Sequence, residues 1–116
     1  MSPSDGEREE AGALCVVLST APSDGVARRI ARAVVEERLA ACVNLVPGVT
    51  SIYRWSGAVQ EDSEVLMVMK TRAERVGELA ARVRALHEYA LPEVIALPVE
   101  AGSEDYLRWV RAETAR

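Results

Sequence analysis

The sequence has few of the side chains from which most enzyme active sites are built. Its 116 residues include one histidine, His87, and two cysteines, Cys15 and Cys42. A single histidine excludes most catalytic triads, and no serine or cysteine nucleophile lies in a recognisable turn. A glycine-rich phosphate loop, a paired-cysteine zinc motif and a dinucleotide-binding fingerprint are also missing. We therefore predict a binding protein and not an enzyme.

Aromatic residues are equally scarce: they make up 4% of the chain, without any phenylalanine, although 49% of the residues are hydrophobic. Valine, alanine and leucine must therefore fill the interior, which suits thin, closely packed layers. The length matches a single domain, since domains are typically about 100–150 residues long. Both cysteines lie in apolar runs, so we expect free thiols and not a disulfide.

Strong positive charge is absent, and most of the net charge of −4 lies at the start of the chain. The first ten residues carry four acidic side chains and one arginine, which leaves a balance of −1 for the remainder. This excludes a basic nucleic-acid footprint. Residues 1–12 are polar and acidic and predict a disordered tail, with the folded domain over 13–116. No secretory signal or apolar run of about 20 residues is present, so we expect a cytoplasmic protein that binds neither membrane nor nucleic acid.

The hydrophobic pattern predicts the element order β-α-β-β-α-β followed by a short helix. The predicted strands cover 14–18, 41–55, 59–70 and 93–99, and the predicted helices cover 23–39, 71–86 and 105–110. Pro47-Gly48 predicts a bulge in the long second strand, and Ser56-Gly57 predicts the tight turn that follows it. Thr71 and Glu74 form the pattern of a capping box. The order is typical of the ferredoxin-like α+β sandwich, in which two helices cover one face of a four-stranded sheet.

The strands of this predicted sheet are apolar on both faces. In the third strand Val65 and Met67 point to one side, whereas Leu66 and Val68 point to the other. The last strand repeats the pattern. Because an uncovered apolar face is rare in soluble monomers, we predict a homo-oligomer in which another copy covers it.

His87 and Glu93 are the candidate metal ligands. They place an imidazole and a carboxylate on a short connection that enters the last strand, a combination that suits copper or zinc. Two protein ligands make a weak site unless another subunit contributes. The alternative is structural, because His87 ends the apolar stripe of its helix, a position typical of a half-buried histidine with one satisfied nitrogen.

Two further groups of residues that contain aromatic side chains are candidates for a binding cleft or a subunit interface. Tyr53 and Trp55 alternate onto one face near the hairpin tip, and Lys70 ends the returning strand. These three are either packing residues that set the register or the lining of a cleft between subunits, where pockets form preferentially. Tyr106 and Trp109 lie three residues apart on the last helix, so we expect them to anchor a subunit interface.

Several segments together resemble the CutA divalent-cation tolerance family. The resemblance extends from about Val16 to Trp109 and is carried by LAACVNLVPGVTSIYRW (39–55), Lys70-Thr71, HEYALPEVIALPV (87–99), and Gly102 followed by Tyr106-Leu107 and Trp109. Each segment alone is a weak signal, whereas their combination in this order is specific.

The resemblance implies a ferredoxin-like protomer in a homotrimer whose architecture is similar to that of the PII signalling proteins. It also implies a non-enzymatic role in tolerance of divalent metals, with Cu(II) or another divalent cation bound, since some members bind copper. Carried over to this sequence, the metal candidates are again His87 and Glu93. The residues that line the intersubunit cleft are Tyr53, Trp55, Lys70 and Tyr89.

The sequence departs from the family at three positions near these candidates. Ser19 stands where some copper-binding members have cysteine, and the loss of that soft ligand should weaken Cu(I) binding in particular. Glu88 and Ala90 replace the proline and the Glu or Gln that often follow the histidine and the tyrosine. Glu88 is either a compensating ligand or a solvated side chain.

Two other functions remain open at this point. A PII-like trimer would bind a small anionic effector in its intersubunit clefts through Lys70 and Tyr53. PII proteins signal through a long loop between their second and third strands, whereas this chain has a tight turn at Ser56-Gly57, which argues against that form of control. The second alternative is an interaction scaffold that binds no ligand.

Overall fold

The computed structural model describes residues 12–116 and has an α+β fold. Its strands are β1 (Leu14–Ala21), β2 (Cys42–Trp55), β3 (Ala58–Arg72) and β4 (Ile95–Pro98), and its helices are α1 (Asp24–Glu36), α2 (Val76–Leu86) and α3 (Glu104–Glu113), with a 3-10 turn over Ala73–Arg75. The predicted order of elements is confirmed. Most of the predicted tail, residues 1–11, lies outside the described residues.

The first helix begins where the sequence predicts and ends earlier. Ser23 is its N-cap, and the Ser23 hydroxyl accepts a hydrogen bond from the backbone N–H of Val26 at 3.2 Å, the usual role of serine at this position. After Glu36 the chain turns through Arg38, whose φ is 60°. This left-handed residue takes the backbone out of the helix before the predicted end at residue 39.

The four strands form one antiparallel sheet in the order β2-β3-β1-β4. Helices α1 and α2 pack on one face of it, and the largest fully buried side chains between these layers are Val17, Ile30, Val34, Met67, Met69, Leu79 and Val83. The helical members of this set recur every four residues, the spacing of one helix face. Aliphatic and methionine side chains therefore form the core, as the lack of aromatic residues requires.

The β2–β3 hairpin has the two backbone irregularities that the sequence predicts. A register shift interrupts the pairing at Pro47-Gly48, and Gly48 has a φ of +73°, a conformation that favours glycine. At the tip, Ser56 and Gly57 both have positive φ, the geometry of a two-residue hairpin turn. Both predictions are confirmed.

Beyond the bulge the hairpin projects as a two-stranded ribbon, residues 49–64, because β1 pairs with β3 only from Val65 onward. A two-stranded ribbon by itself is marginally stable in water. Ile52 and Val59 in this ribbon are each 66% exposed. The ribbon therefore presents apolar surface that the described part of one chain leaves uncovered.

The sheet face opposite α1 and α2, called here the open face, is apolar, as predicted. The register places on it Val16, Leu18, Val46, Leu66, Val68, Ile95 and Leu97. Helix α3 covers one end only, where Val110 packs against Leu14 and Ala41, and where the Arg72 guanidinium donates to the Arg111 carbonyl oxygen at 2.8 Å. An apolar surface of this kind is typical of a protein interface.

The predicted capping box at Thr71 and Glu74 is wrong. The helical turn begins at Ala73, its N-cap is Arg72, and no side chain caps it. Thr71 is still part of β3, and its hydroxyl donates to the carbonyl oxygen of Leu39 at 2.7 Å in the buried interior. The threonine therefore connects the sheet to the segment after α1, and tertiary packing overrides the local capping pattern.

We predict that Thr71→Val lowers the free energy of unfolding by about 1–3 kcal/mol, because the buried Leu39 carbonyl loses its donor. Thr71→Ser keeps the hydroxyl and should lose much less. Glu74→Ala should change the stability by less than about 0.5 kcal/mol, since this exposed side chain caps nothing. Urea unfolding of the three variants measures these differences. Equal losses of unfolding free energy in Thr71→Val and Glu74→Ala would contradict this interpretation and favour a capping box.

Candidate functional site

A cleft of about 680 Å³ lies between the ribbon and the loop that connects α2 to β4; we call it the ribbon cleft. Its lining includes three aromatic rings and two carboxylates, those of Tyr53, Trp55, Tyr89, Glu64 and Glu93. No lysine, arginine or histidine of residues 12–116 lines it. The lining is therefore acidic and aromatic, a combination that suits a cation.

The strand register explains why the ribbon side chains meet on one side. Val49 pairs with Glu64 and Tyr53 pairs with Gln60. Directly paired residues, and residues two positions along a strand, point to the same face. Tyr53, Trp55 and Glu64 therefore share a face, which continues along β3 into the open face. The ribbon cleft lies at one end of the open face.

The structure brings Tyr53, Trp55, Tyr89 and Glu93 together in this cleft but places Lys70 elsewhere. Lys70 pairs with Cys42 at the opposite end of the β2–β3 pairing, and its ammonium group contacts the side-chain oxygen of Asn44. Lys70 and Tyr53 therefore do not share a cleft within one chain. Their meeting between subunits stays a prediction.

The aromatic pair on α3 lies outside the ribbon cleft. The rings of Tyr106 and Trp109 pack against each other with centroids 5.6 Å apart, and both side chains are partly exposed. Partial burial raises the pKa of Tyr106, and the neighbouring Cys42 adds to the effect. The proximity of Tyr106 to Cys42 places α3 against the end of β2 that is remote from the ribbon. The interface role of the two residues stays a prediction.

His87 lies beside the cleft, at the end of α2, and does not line it. Its Nε2 donates to the carbonyl oxygen of Thr20 at 2.7 Å, and its Nδ1 accepts from the backbone N–H of Tyr89 at 3.1 Å. A carbonyl only accepts, so these partners assign the proton to Nε2. Both ring nitrogens are thus engaged, where the structural alternative expected one. The imidazole joins the end of β1 to the loop that carries Tyr89.

Tyr89 in turn holds Glu64. The Tyr89 hydroxyl donates to Glu64 Oε2 at 2.8 Å. Burial raises the pKa of Tyr89, and the hydrogen bond to Glu64 together with the charge of that carboxylate raises it further. The Tyr53 hydroxyl donates in the same way to Asp62, and this hydrogen bond is the main reason that the pKa of Tyr53 is raised. Both phenols are therefore neutral donors to carboxylates at physiological pH.

Glu64 is the site residue that the sequence analysis missed. It is only 8% exposed. The Tyr89 hydroxyl is its hydrogen-bond partner, and none of the ion pairs within residues 12–116 includes it. A sequence signal existed: Glu64 is the acidic residue immediately before the apolar run that begins at Val65. Its burial, however, depends on the loop that packs over it.

A complete metal site is not assembled within the described chain. No group of three or more His, Cys, Asp or Glu side chains in residues 12–116 is placed to hold a metal ion. Glu93 lines the ribbon cleft, whereas His87 has neither nitrogen free. Cys15 and Cys42 are free, half-buried thiols. A divalent ion would therefore need ligands from outside residues 12–116 of one chain, or a rearranged His87.

Ser19, one of the positions at which the sequence departs from the expected family pattern, is fully buried. Its hydroxyl has no hydrogen-bond partner among the described residues. The register places Ser19 opposite Met67 on the helix-covered face. Because successive residues of β1 alternate between faces, the side chain that reaches the cleft from this strand end is that of Thr20.

Comparison with known proteins places the chain in a family. The model of the CutA1 divalent ion tolerance protein family matches residues 15–113. The chain belongs to this family. It is 58% identical over 99 residues to the divalent-cation tolerance protein CutA of Thermus thermophilus, covering 85% of this chain and 96% of that relative. It is 52% identical over 112 residues to protein CutA of Mus musculus, covering 97% of this chain but only 63% of that relative.

The fold of this CutA1 family member also matches solved structures. A divalent cation tolerance protein (Cut A1) from Thermus thermophilus superimposes with a TM-score of 0.86 and 56% identity, covering 88% of this chain and 99% of that one. The family resemblance found in the sequence is thus confirmed. No helix within residues 12–116 is both long and apolar enough to span a membrane. The cytoplasmic location stays a prediction.

We predict that the stability of the protein falls above about pH 10 and that Tyr89→Phe lessens this fall. Unfolded tyrosine ionises near pH 10, whereas the pKa of Tyr89 is raised in the folded chain. The contribution of the neutral phenol is thus present below about pH 10 and is lost as the pH rises towards the folded-state pKa. Urea unfolding at about pH 8 and about pH 11 tests this, and an unchanged slope in Tyr89→Phe would contradict it.

Proposed function

We propose that the protein is a non-enzymatic divalent-cation-binding protein that works as a homotrimer, with Cu(II) the first cation to test. The observation that carries this proposal is the acidic lining of the ribbon cleft, where Glu64 and Glu93 occur without a basic side chain among the described residues. A cleft with charges of one sign concentrates ions of the opposite sign. Membership of the divalent ion tolerance family points to the same class of ligand.

Glu93 is the ligand that the geometry supports best, because it already lines the cleft. His87 can join it only if the hydrogen bond from the Tyr89 N–H to Nδ1 opens, since that nitrogen is the acceptor of the ring. Zinc and copper sites generally need three or four protein ligands. We therefore propose that a second copy supplies the remaining ligands.

The same arrangement supports self-association. The ribbon cleft opens on the side of the open face, so a copy that covers this face would also close the cleft. The ribbon adds apolar surface at Ile52 and Val59. Burial of such surface is the main driving force of most protein association. The family resemblance implies a trimer, and we propose that α3, with Tyr106 and Trp109, lies at its interface.

The anionic-effector alternative has less support. The ribbon cleft offers no positive charge from residues 12–116, and Lys70 lies at the other end of the hairpin. The turn at Ser56-Gly57 has two residues and leaves no long signalling loop between β2 and β3. An anion would therefore need its counter-charge from another subunit. The ligand-free scaffold stays an alternative that the metal titration decides.

We predict saturable binding of Cu(II) or Zn(II) by the purified oligomer, measured by isothermal titration calorimetry. Glu93→Gln, which removes the charge but keeps the shape, should weaken binding by at least about tenfold. Glu88→Gln is the matched control: Glu88, considered above as a compensating ligand, is an exposed carboxylate of the same loop and does not line the cleft, which favours a solvated side chain.

His87→Ala should also weaken metal binding. Circular dichroism of that variant shows whether the loss comes from a missing ligand or from a disturbed loop. No binding by the wild type would favour the scaffold. Equal losses in Glu93→Gln and Glu88→Gln would show that the metal responds to general charge and not to this site.

We predict that the protein remains trimeric at micromolar concentration in analytical ultracentrifugation. Leu97→Glu places a charge on the open face, where Leu97 is 47% exposed, and should shift the protein towards monomer. Val35→Glu is the control, since Val35 is 40% exposed on α1, away from the open face. A folded wild-type monomer, or dissociation by both variants alike, would contradict the proposed interface.

A further inference from the structure

Glu64 has no counter-charge among residues 12–116, since none of the ion pairs there includes it. A buried carboxylate is normally paired with a cation or satisfied by several donors, because removal of its hydration is costly. Glu64 is 8% exposed, and within residues 12–116 it receives one hydrogen bond, from the neutral hydroxyl of Tyr89. The backbone holds it there, because Glu64 is the first β3 residue beyond the bulge and pairs with Val49. Because Glu64 also lines the ribbon cleft, a cation bound in the cleft would supply this counter-charge.

The walls of the ribbon cleft identify the kind of cation. The rings of Tyr53, Trp55 and Tyr89 line it, and an aromatic face attracts a cation electrostatically. The two tyrosine hydroxyls are already committed to carboxylates, Tyr53 to Asp62 and Tyr89 to Glu64. Their protons are therefore unavailable to an anion or to a neutral acceptor.

A divalent metal ion would use the carboxylates of this lining but not its aromatic rings or its apolar side chains. Metal coordination requires several oxygen, nitrogen or sulfur ligands around one point, and no such group is assembled within residues 12–116. The volume of about 680 Å³ is that of a small-molecule site, typically about 300–1,000 Å³. An organic cation would use one carboxylate, the ring faces, and the apolar side chains of Leu91 and Pro92, which also line the cleft.

We infer that the ribbon cleft binds a primary organic ammonium ion with a short apolar body, whose N–H groups donate to the Glu64 carboxylate while the rings of Trp55 and Tyr89 pack against it. This ligand class goes beyond divalent-cation binding and does not rest on it. The ammonium group has two possible sources, a free amine or a lysine of a protein. Within this sequence the only lysine is Lys70, so a second copy could supply a lysine ammonium only through that residue.

The experiment is a titration of the full-length oligomer with phenethylamine in metal-free buffer containing EDTA. We expect saturable binding by calorimetry, and a shift of the indole N–H signal of Trp55 in the NMR spectrum with the signal of Trp109 unmoved. The neutral analogue 2-phenylethanol and the anion phenylacetate have nearly the same shape. Both should bind at least about tenfold more weakly, because they lack the charge that pairs with Glu64.

Two variants assign the effect to the carboxylate. Glu64→Gln should weaken phenethylamine binding by at least about tenfold. Glu61→Gln should leave it unchanged, because Glu61 does not line the cleft and, three residues from Glu64 along β3, points to the opposite face of the strand. If Glu64→Gln does not fold, the titrations of the wild type with phenethylamine, 2-phenylethanol and phenylacetate still test the proposal, because they need no substitution. Equal affinity for the amine and the alcohol would overturn the proposal.

Lys70→Met distinguishes the two sources of the ammonium group. Unchanged phenethylamine binding in this variant supports a cleft that is open to free amines. Binding that occurs only in Lys70→Met would support the second source, since it would mean that the Lys70 ammonium of another copy already fills the cleft, whereas binding in neither protein would overturn the proposal. Because EDTA is present, these outcomes are independent of the result of the metal titration.

Discussion

The unequal pairing of β3 is the constraint on which the rest of the structure depends. Its second half lies in the middle of the sheet between β2 and β1, whereas its first half has only β2 as a neighbour within the described chain. The bulge at Pro47-Gly48 marks the boundary between the half of β3 that has two neighbouring strands and the half that has one. Beyond it, the ribbon continues without a third strand or a covering helix from residues 12–116. The position of the ribbon creates both the cleft and the uncovered apolar surface.

A short chain of hydrogen bonds connects the stable part of the fold to this ribbon. The imidazole of His87 joins Thr20, at the end of β1, to the backbone of Tyr89. The Tyr89 hydroxyl then reaches Glu64, where the ribbon leaves the sheet. Each bond satisfies a group that would otherwise be partly buried without a partner, which costs more than the bond itself contributes. The only histidine of the protein therefore positions the cleft wall even before any ligand role is considered.

The acidic, aromatic lining gives the cleft a preference for positively charged ligands. Which kind of cation binds depends on how many donor atoms the protein places around it. A divalent metal needs several donor atoms around one point, and one chain brings Glu93 and Glu64 to the cleft with His87 held aside. An organic ammonium ion needs one carboxylate and a ring face. In the proposed oligomer, a copy that covers the open face would also adjoin the cleft, because the cleft and this face lie on the same side of the hairpin.

The local pattern of the sequence determined the order of the elements, the bulge, the two-residue turn and the apolar character of both sheet faces, because these features depend on residues that are close in the chain. It also identified Tyr53, Trp55 and Glu93, and the family resemblance added Tyr89; the structure brings these four residues to one cleft. Only the tertiary structure decided what long-range contacts control. Thr71 bonds to Leu39 and does not cap a helix, His87 has both nitrogens engaged, and Lys70 lies far from Tyr53. Glu64 looks like one more polar residue on a strand until the loop from α2 to β4 packs over it, because burial depends on what covers a residue and not on its neighbours in the sequence.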